Sequence, residues 1–196
     1  PTWGVPFTVN YWYENLEGTG YELGGTESAH GYQSEIIPSD RFWEGHIGFT
    51  RETDKEESIA LDSEKENVIN IYHKRNTYTF VFEYEYEYNE KIFAYNRTTH
   101  RVKYGAPMPT PPTEVNRPGY VVKDWGDYSE YEGQTVPARD ITFNANFLPA
   151  TDTPYKVNHY VQGFDGRYGE PIVEELTGVT GATVNASDCA WATHIG

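Results

Sequence analysis

Followed by its apolar and polar positions, the chain is a succession of strands. FTVNYWYE (7–14) alternates, which puts Phe7, Val9, Tyr11 and Tyr13 on one face of a strand. The turn-forming run Leu16–Gly20 follows, and Tyr21–Leu23 resumes the strand, so this segment predicts a hairpin. Pro38-Ser39-Asp40 predicts a helix cap or a turn, ahead of an apolar patch centred on Trp43 and the run Ile47–Thr50. The charged stretch 52–66 fits either a short helix or a solvated hairpin, and NVINIYHK (67–74) predicts a buried strand. FVFEYEYEYNEK (80–91) has a clear period of two, with Phe80, Phe82, Tyr84, Tyr86 and Tyr88 on one face and Glu83, Glu85 and Glu87 on the other. Pro109, Pro111, Pro112 and Pro118 keep 108–119 extended or irregular. A strand is predicted at 120–125, a loop at 129–133, and a final strand at 140–147 with Ile141, Phe143, Ala145 and Phe147 inward.

The pattern repeats. Residues 6–22 lie without a gap over 154–170, and 39–48 over 187–196. Identities include Pro6 with Pro154, Val9 with Val157, Asn10 with Asn158, Gly18 with Gly166, Glu27 with Glu175, Trp43 with Trp191, and His46 with His194. The strand NVINIYHK has no counterpart within 154–196. The implied order is a module over 1–75, a different module over 76–149, and the N-terminal part of a second copy of the first over 150–196. With its abrupt start at Pro1, this reads as a segment of a longer array of small modules.

Composition sharpens this. Hydrophobic residues make up 37% of the 196, little for one large core, while aromatics reach 16% with 17 tyrosines. That mix suits small β-modules cored by a few large rings. The formal net charge is −15, so nucleic acid and anionic membrane surfaces are poor partners. No apolar run approaches the roughly 20 residues of a membrane-spanning helix, so no membrane insertion is expected of this segment. The single cysteine, Cys189, excludes an internal disulfide and reads as a small packed residue rather than a nucleophile. Asn96-Arg97-Thr98 and Asn185-Ala186-Ser187 match the glycosylation sequon, a short pattern.

Few residues form a pattern that carries chemistry. His46 and His194 recur beside Trp43 and Trp191, which points to a shared structural role, while His159 stands where the first copy has Tyr11 and suits a rim. Acidic pairs are plentiful, but catalytic carboxylates must flank a cleft, and a solvated face is the simpler reading. No cofactor is implied. Calcium is the one ion considered for the acidic segment 52–62, which lacks EF-hand spacing. No catalytic residue is assigned. The aromatic face of 80–88 reads as the spine of the middle module with its glutamates in water, in preference to a sugar platform or an aggregating edge. Tyr128 and Tyr131 are candidate ligand contacts.

At these residues two family patterns emerge. The middle module resembles the internalin-type B repeat (the Listeria–Bacteroides repeat) in Tyr78-Thr79-Phe80, VKYGAPMPTPP (102–112), RPGYVVKDW (117–125) and TVPARDITFNANF (135–147). It departs in Lys123-Asp124 before Trp125 and in the EYEYEY extension, which predicts a longer first hairpin. VNYWYENLEGTGYE (9–22) and VNHYVQGFDGRYGEPIVEELTGVTGATVNA (157–186) resemble mucin-binding-protein (MucBP) domains.

The resemblance implies a mainly β or α+β chain of tandem, small β-grasp-like modules in an elongated array, extracellular and bacterial. Its expected work is non-catalytic, as stalk and adhesion modules. Expected partners are a host or neighbouring-cell surface protein or glycan, or other copies of itself. Two alternatives stay open: accessory modules of a secreted glycan- or peptide-processing enzyme, and a fibre subunit assembling by strand exchange.

Overall fold

The computed structural model describes residues 4–42, 45–88 and 92–186. The protein is mainly β, as expected, and its described residues contain short 3-10 turns but no α-helix. Strands β1 (Val5–Glu14), β2 (Tyr21–Gly31), β3 (Ile36–Ile37), β4 (Phe49–Arg51), β5 (Ile59–Ala60) and β6 (Val68–Arg75) come first. Strands β7 (Thr77–Tyr88), β8 (Ile92–Lys103), β9 (Tyr120–Asp124), β10 (Ile141–Asn144) and β11 (Asn146–Pro149) follow, and β12 (Thr153–His159) and β13 (Ile172–Gly178) complete the order.

The sheets are small. β2-β1-β6-β4 is mixed, with β1 and β6 parallel at its centre and antiparallel strands on either side. β10-β7-β8 forms a second sheet, and β11 with β9, β12 with β13, and β3 with β5 form two-stranded ladders. By contact density the chain divides into two compact units. One comprises Pro1–Phe82, Arg97–Thr110 and Ser129–Phe143, the other Glu83–Asn96, Pro111–Tyr128 and Asn144–Gly196.

In the first unit the alternation of β1 does what its pattern predicts. Val5, Phe7, Val9 and Tyr11 are buried against Ile69 and Ile71 of β6, with Ile37 and Leu61 closing the cluster. The stretch 52–66 is neither the helix nor the hairpin expected. It is a 3-10 turn at Thr53–Lys55 followed by the two-residue β5 paired with β3. Pro38-Ser39-Asp40 leads into a 3-10 turn at Ser39–Arg41. Phe82 stacks on Phe143 at 5.2 Å, and Phe80 and Val136 are fully buried. Val81, on the opposite face of β7 from these rings, is buried too.

In the second unit Tyr84 packs edge-on against Trp125 and Phe147, and Arg117 lies over Tyr86, Tyr120 and Phe147. The expected final strand 140–147 is broken at Ala145, whose N–H donates to the Glu83 carbonyl, so β10 and β11 serve different ladders. Glu85 and Glu87 are exposed as expected, while Glu83 accepts the Tyr95 hydroxyl at 2.6 Å.

Candidate functional site

The mixed sheet has one face in the core and one toward solvent, and the outward face carries an ordered set of polar and aromatic groups. Period two sets Asn10 and Trp12 on β1 beside Asn70 and Tyr72 on β6. The Asn70 Oδ1 accepts the Trp12 indole N–H at 2.8 Å and the Asn10 amide at 3.4 Å, while Asn10 Oδ1 accepts Thr26 Oγ1 at 3.1 Å. These bonds lock the Asn70 side chain in one orientation. Tyr72 packs edge-on to Tyr21, with centroids 5.1 Å apart.

Tyr21, Glu52 and Lys55 form a hydrogen-bonded triad beside this face. Burial, and then the Glu52 carboxylate, pushes the Tyr21 hydroxyl up. Burial works against ionised Glu52, but hydrogen bonds from Tyr21 and Lys55 prevail and hold it below the usual range. Lys55 is held above its ordinary value by the Tyr21 bond and then by Glu52. A pocket of about 270 Å³ lies between this group and β6, lined by Lys55, Glu57, Ile59, Val68, Asn70 and Tyr72.

A second pocket, of about 470 Å³, opens beside His46, Phe49, Arg51 and His73. His73 is 2% exposed, with neither ring nitrogen in a well-formed hydrogen bond. It stacks on Tyr13 at 4.9 Å and meets His46 edge-on at 5.0 Å. Burial, and then the neighbouring His46, pushes its pKa below the ordinary histidine value. Arg51 makes a two-pronged pair with Glu56 at 2.7 and 2.6 Å and also donates to the Ser39 and Phe42 carbonyls. The two side chains keep 9% and 2% of their surface, so this is a buried ion pair. Sequence reasoning missed it because Arg51 and Glu56 sit in a segment that carries no strong period.

In the acidic segment 52–62, considered for calcium, three carboxylates are engaged locally. Glu52 faces Lys55 and Tyr21, Glu56 faces Arg51, and Asp62 faces Lys65. Tyr128 sits in the 3-10 turn Gly126–Glu130 with 8% of its surface exposed. Tyr131 is half-buried, edge-on to Phe143 and hydrogen-bonded by Arg139. Of the two candidate contacts, Tyr131 offers more surface. His159 is half-buried and paired with Glu174 at 3.0 Å. Trp43, Cys189, Trp191 and His194 lie outside the described residues.

Near Arg75, the expected end of the first module, the first unit carries a dense set of bonds. The Arg75 guanidinium donates to the Tyr104 carbonyl at 2.8 Å and the Glu14 carbonyl at 3.0 Å, and lies 4.7 Å over Phe49. The Glu14 carboxylate accepts the Arg75 backbone N–H and pairs with Lys103. Tyr104 N–H donates to Asn76, whose own N–H donates to the Gly48 carbonyl. Gly48 has φ +81°, and a Cβ there would fall 2.2 Å from the Tyr104 ring, so only glycine allows this approach.

No protein-family model and no curated protein matches the chain. Among solved structures it is similar to the type 2 repeat of the mucus binding protein MUB from Lactobacillus reuteri. The likeness has 15% identity and a TM-score of 0.23, over 71% of this chain and 98% of that one. At that score it carries no argument about fold or function.

Proposed function

We propose that this chain is a non-catalytic repeat region of a bacterial surface or secreted protein, in which small β-modules both space out and present a binding surface. The observation that carries the reading is the joint at Arg75. One guanidinium, held by the carbonyls of Glu14 and Tyr104 and by the Phe49 ring, ties residues on both sides of the expected module boundary. A flexible tether would need no such bonds, whereas a spacer that transmits orientation does. The repeat over 6–48 and 154–196 adds the array character expected of a stalk. The extracellular setting and the partner, a surface protein or glycan, come from the MucBP-like and internalin-B-like residue patterns. Tyr131 and Tyr128 stay as secondary contact candidates.

The test uses spin labels at Glu27→Cys and Glu132→Cys in the full chain with Cys189→Ser, both labels within the first unit. A narrow distance distribution that broadens with Arg75→Ala is the expected result. A distribution already broad before that substitution would sink the stalk reading. Retention of immobilised chain on glycoprotein-coated surfaces tests the adhesive half separately.

A further inference from the structure

The small pocket beside β6 has a feature that sugar-recognition chemistry can use. Thr8 N–H donates to the Asn67 carbonyl and Glu52 N–H to the Tyr72 carbonyl, so odd-numbered residues of β6 face β1 and even-numbered ones face away. β4 pairs only with His73, Lys74 and Arg75. Among the described residues, no strand pairs with the outer edge of β6 from Val68 to Asn70, and both of these residues line the pocket. Open backbone groups on a half-buried edge need a partner that donates and accepts.

We propose that this pocket binds the acetamido group and ring of a 2-acetamido pyranose, an N-acetylhexosamine of a glycan. The proposal rests on the adhesive reading above and gives it a site. An acetamido group presents a C=O and an N–H that point in opposite directions, so its C=O accepts from an N–H of the strand edge while its N–H faces the opposite wall of the pocket. Asn70 is fixed by Trp12 and Asn10 through its Oδ1, which leaves its Nδ2 as a positioned donor for a ring hydroxyl. The half-exposed Tyr72 ring gives the apolar face of the pyranose a surface to stack on, Ile59 meets the acetamido methyl, and Glu57 supplies an exposed acceptor.

Size separates this occupant from a peptide. About 270 Å³ lies just below the usual range of small-molecule pockets, enough for one sugar residue but not a peptide, and the unpaired edge spans only about 10 Å at the rise of a strand. The Glu52 bond to Tyr72 closes one end of that edge, so an added strand finds no run of ladder positions. The protein's net charge of −15 favours a neutral sugar over an acidic one.

The experiment is an amide-resolved NMR titration of the full chain with N-acetylglucosamine and N-acetylgalactosamine, and with glucose and galactose as probes lacking the acetamido group. Saturable shifts at Val68, Asn70 and Tyr72 with the N-acetyl sugars, on the order of millimolar, are expected, and at least about tenfold weaker binding for the plain sugars. Tyr72→Ala, with the rest of the spectrum unchanged, weakens binding by about tenfold or more. Glu57→Gln, a surface change that leaves the fold alone, weakens it by a smaller factor. Absence of saturable shifts at these amides, equal response to plain sugars, or response only to a strand-forming peptide overturns the proposal. If the immobilised chain is retained on glycoprotein surfaces yet these amides stay silent, the site is wrong and the adhesive reading stands. If the sugars bind here while the chain is not retained, the adhesive reading falls and the site survives.

Discussion

The two copies of the repeat share an alternating strand but bury it differently. In the first, Phe7, Val9 and Tyr11 are packed out of water against Ile69 and Ile71, because β6 lies parallel to β1. In the second, the matching Tyr155, Val157 and His159 are only half-buried, and β12 pairs with β13 alone among the described residues. The pairing differs as well. β1 and β2 shift register between Tyr11 and Trp12, with Gly24 as the extra residue, whereas β12 and β13 run without a shift. The second copy has Ile172 where the first has Gly24. A Cβ at Gly24 would lie 2.3 Å from the Tyr13 ring, so the first bulge depends on glycine and the second copy lacks the means to form it. An alternating pattern thus specifies a strand and its inward face, while a third strand decides whether that face becomes a core.

The largest expected effect is specific to the first copy. Glu56→Ala strands the buried Arg51 guanidinium and destabilises the first unit by about 3–5 kcal/mol in urea denaturation. Next comes a matched pair. Val9→Ala costs about 2–3 kcal/mol, whereas Val157→Ala, at the half-buried equivalent position, costs below about 1 kcal/mol. Equal losses would mean that β6 is not what separates the two copies.

Acid acts on the first copy through His73. Its folded-state pKa lies below the ordinary histidine value, so the unfolded chain takes up more protons as pH falls. The contribution is complete above about pH 6.5 and is lost progressively below it. The groups around that ring are His46, Tyr11, Tyr13, Arg51 and Glu56. His73→Phe should flatten the loss of stability between about pH 7 and pH 5; an unchanged slope would place the acid response on other groups. The smallest effect belongs to the exposed Lys156–Glu175 pair on the second hairpin, where Lys156→Ala shifts stability by about 0.5 kcal/mol or less.

Much of this was legible in the chain. The period-two runs gave β1, β6 and β7 and the buried faces of Val9, Ile71 and Phe82, because alternation maps directly onto a pleated strand. What the sequence concealed is non-local. The β10–β11 break at Ala145 follows from the Glu83 carbonyl reaching its N–H, and the burial of His73 follows from Tyr13 and His46 closing over it. The pocket beside β6 arises from where β4 stops pairing, which no local pattern announces. The aromatic face of 80–88 reads as core in both sequence and structure for Phe80, Phe82 and Tyr84.

Hydrogen exchange read by mass spectrometry on the intact chain tests the comparison most directly. Amides of Thr8–Tyr13 should exchange only through opening of the first sheet, while those of Lys156–His159 exchange faster by orders of magnitude through local opening of the hairpin. Equal protection of the two strands would contradict the claim that β6 is what turns the repeated pattern into a core.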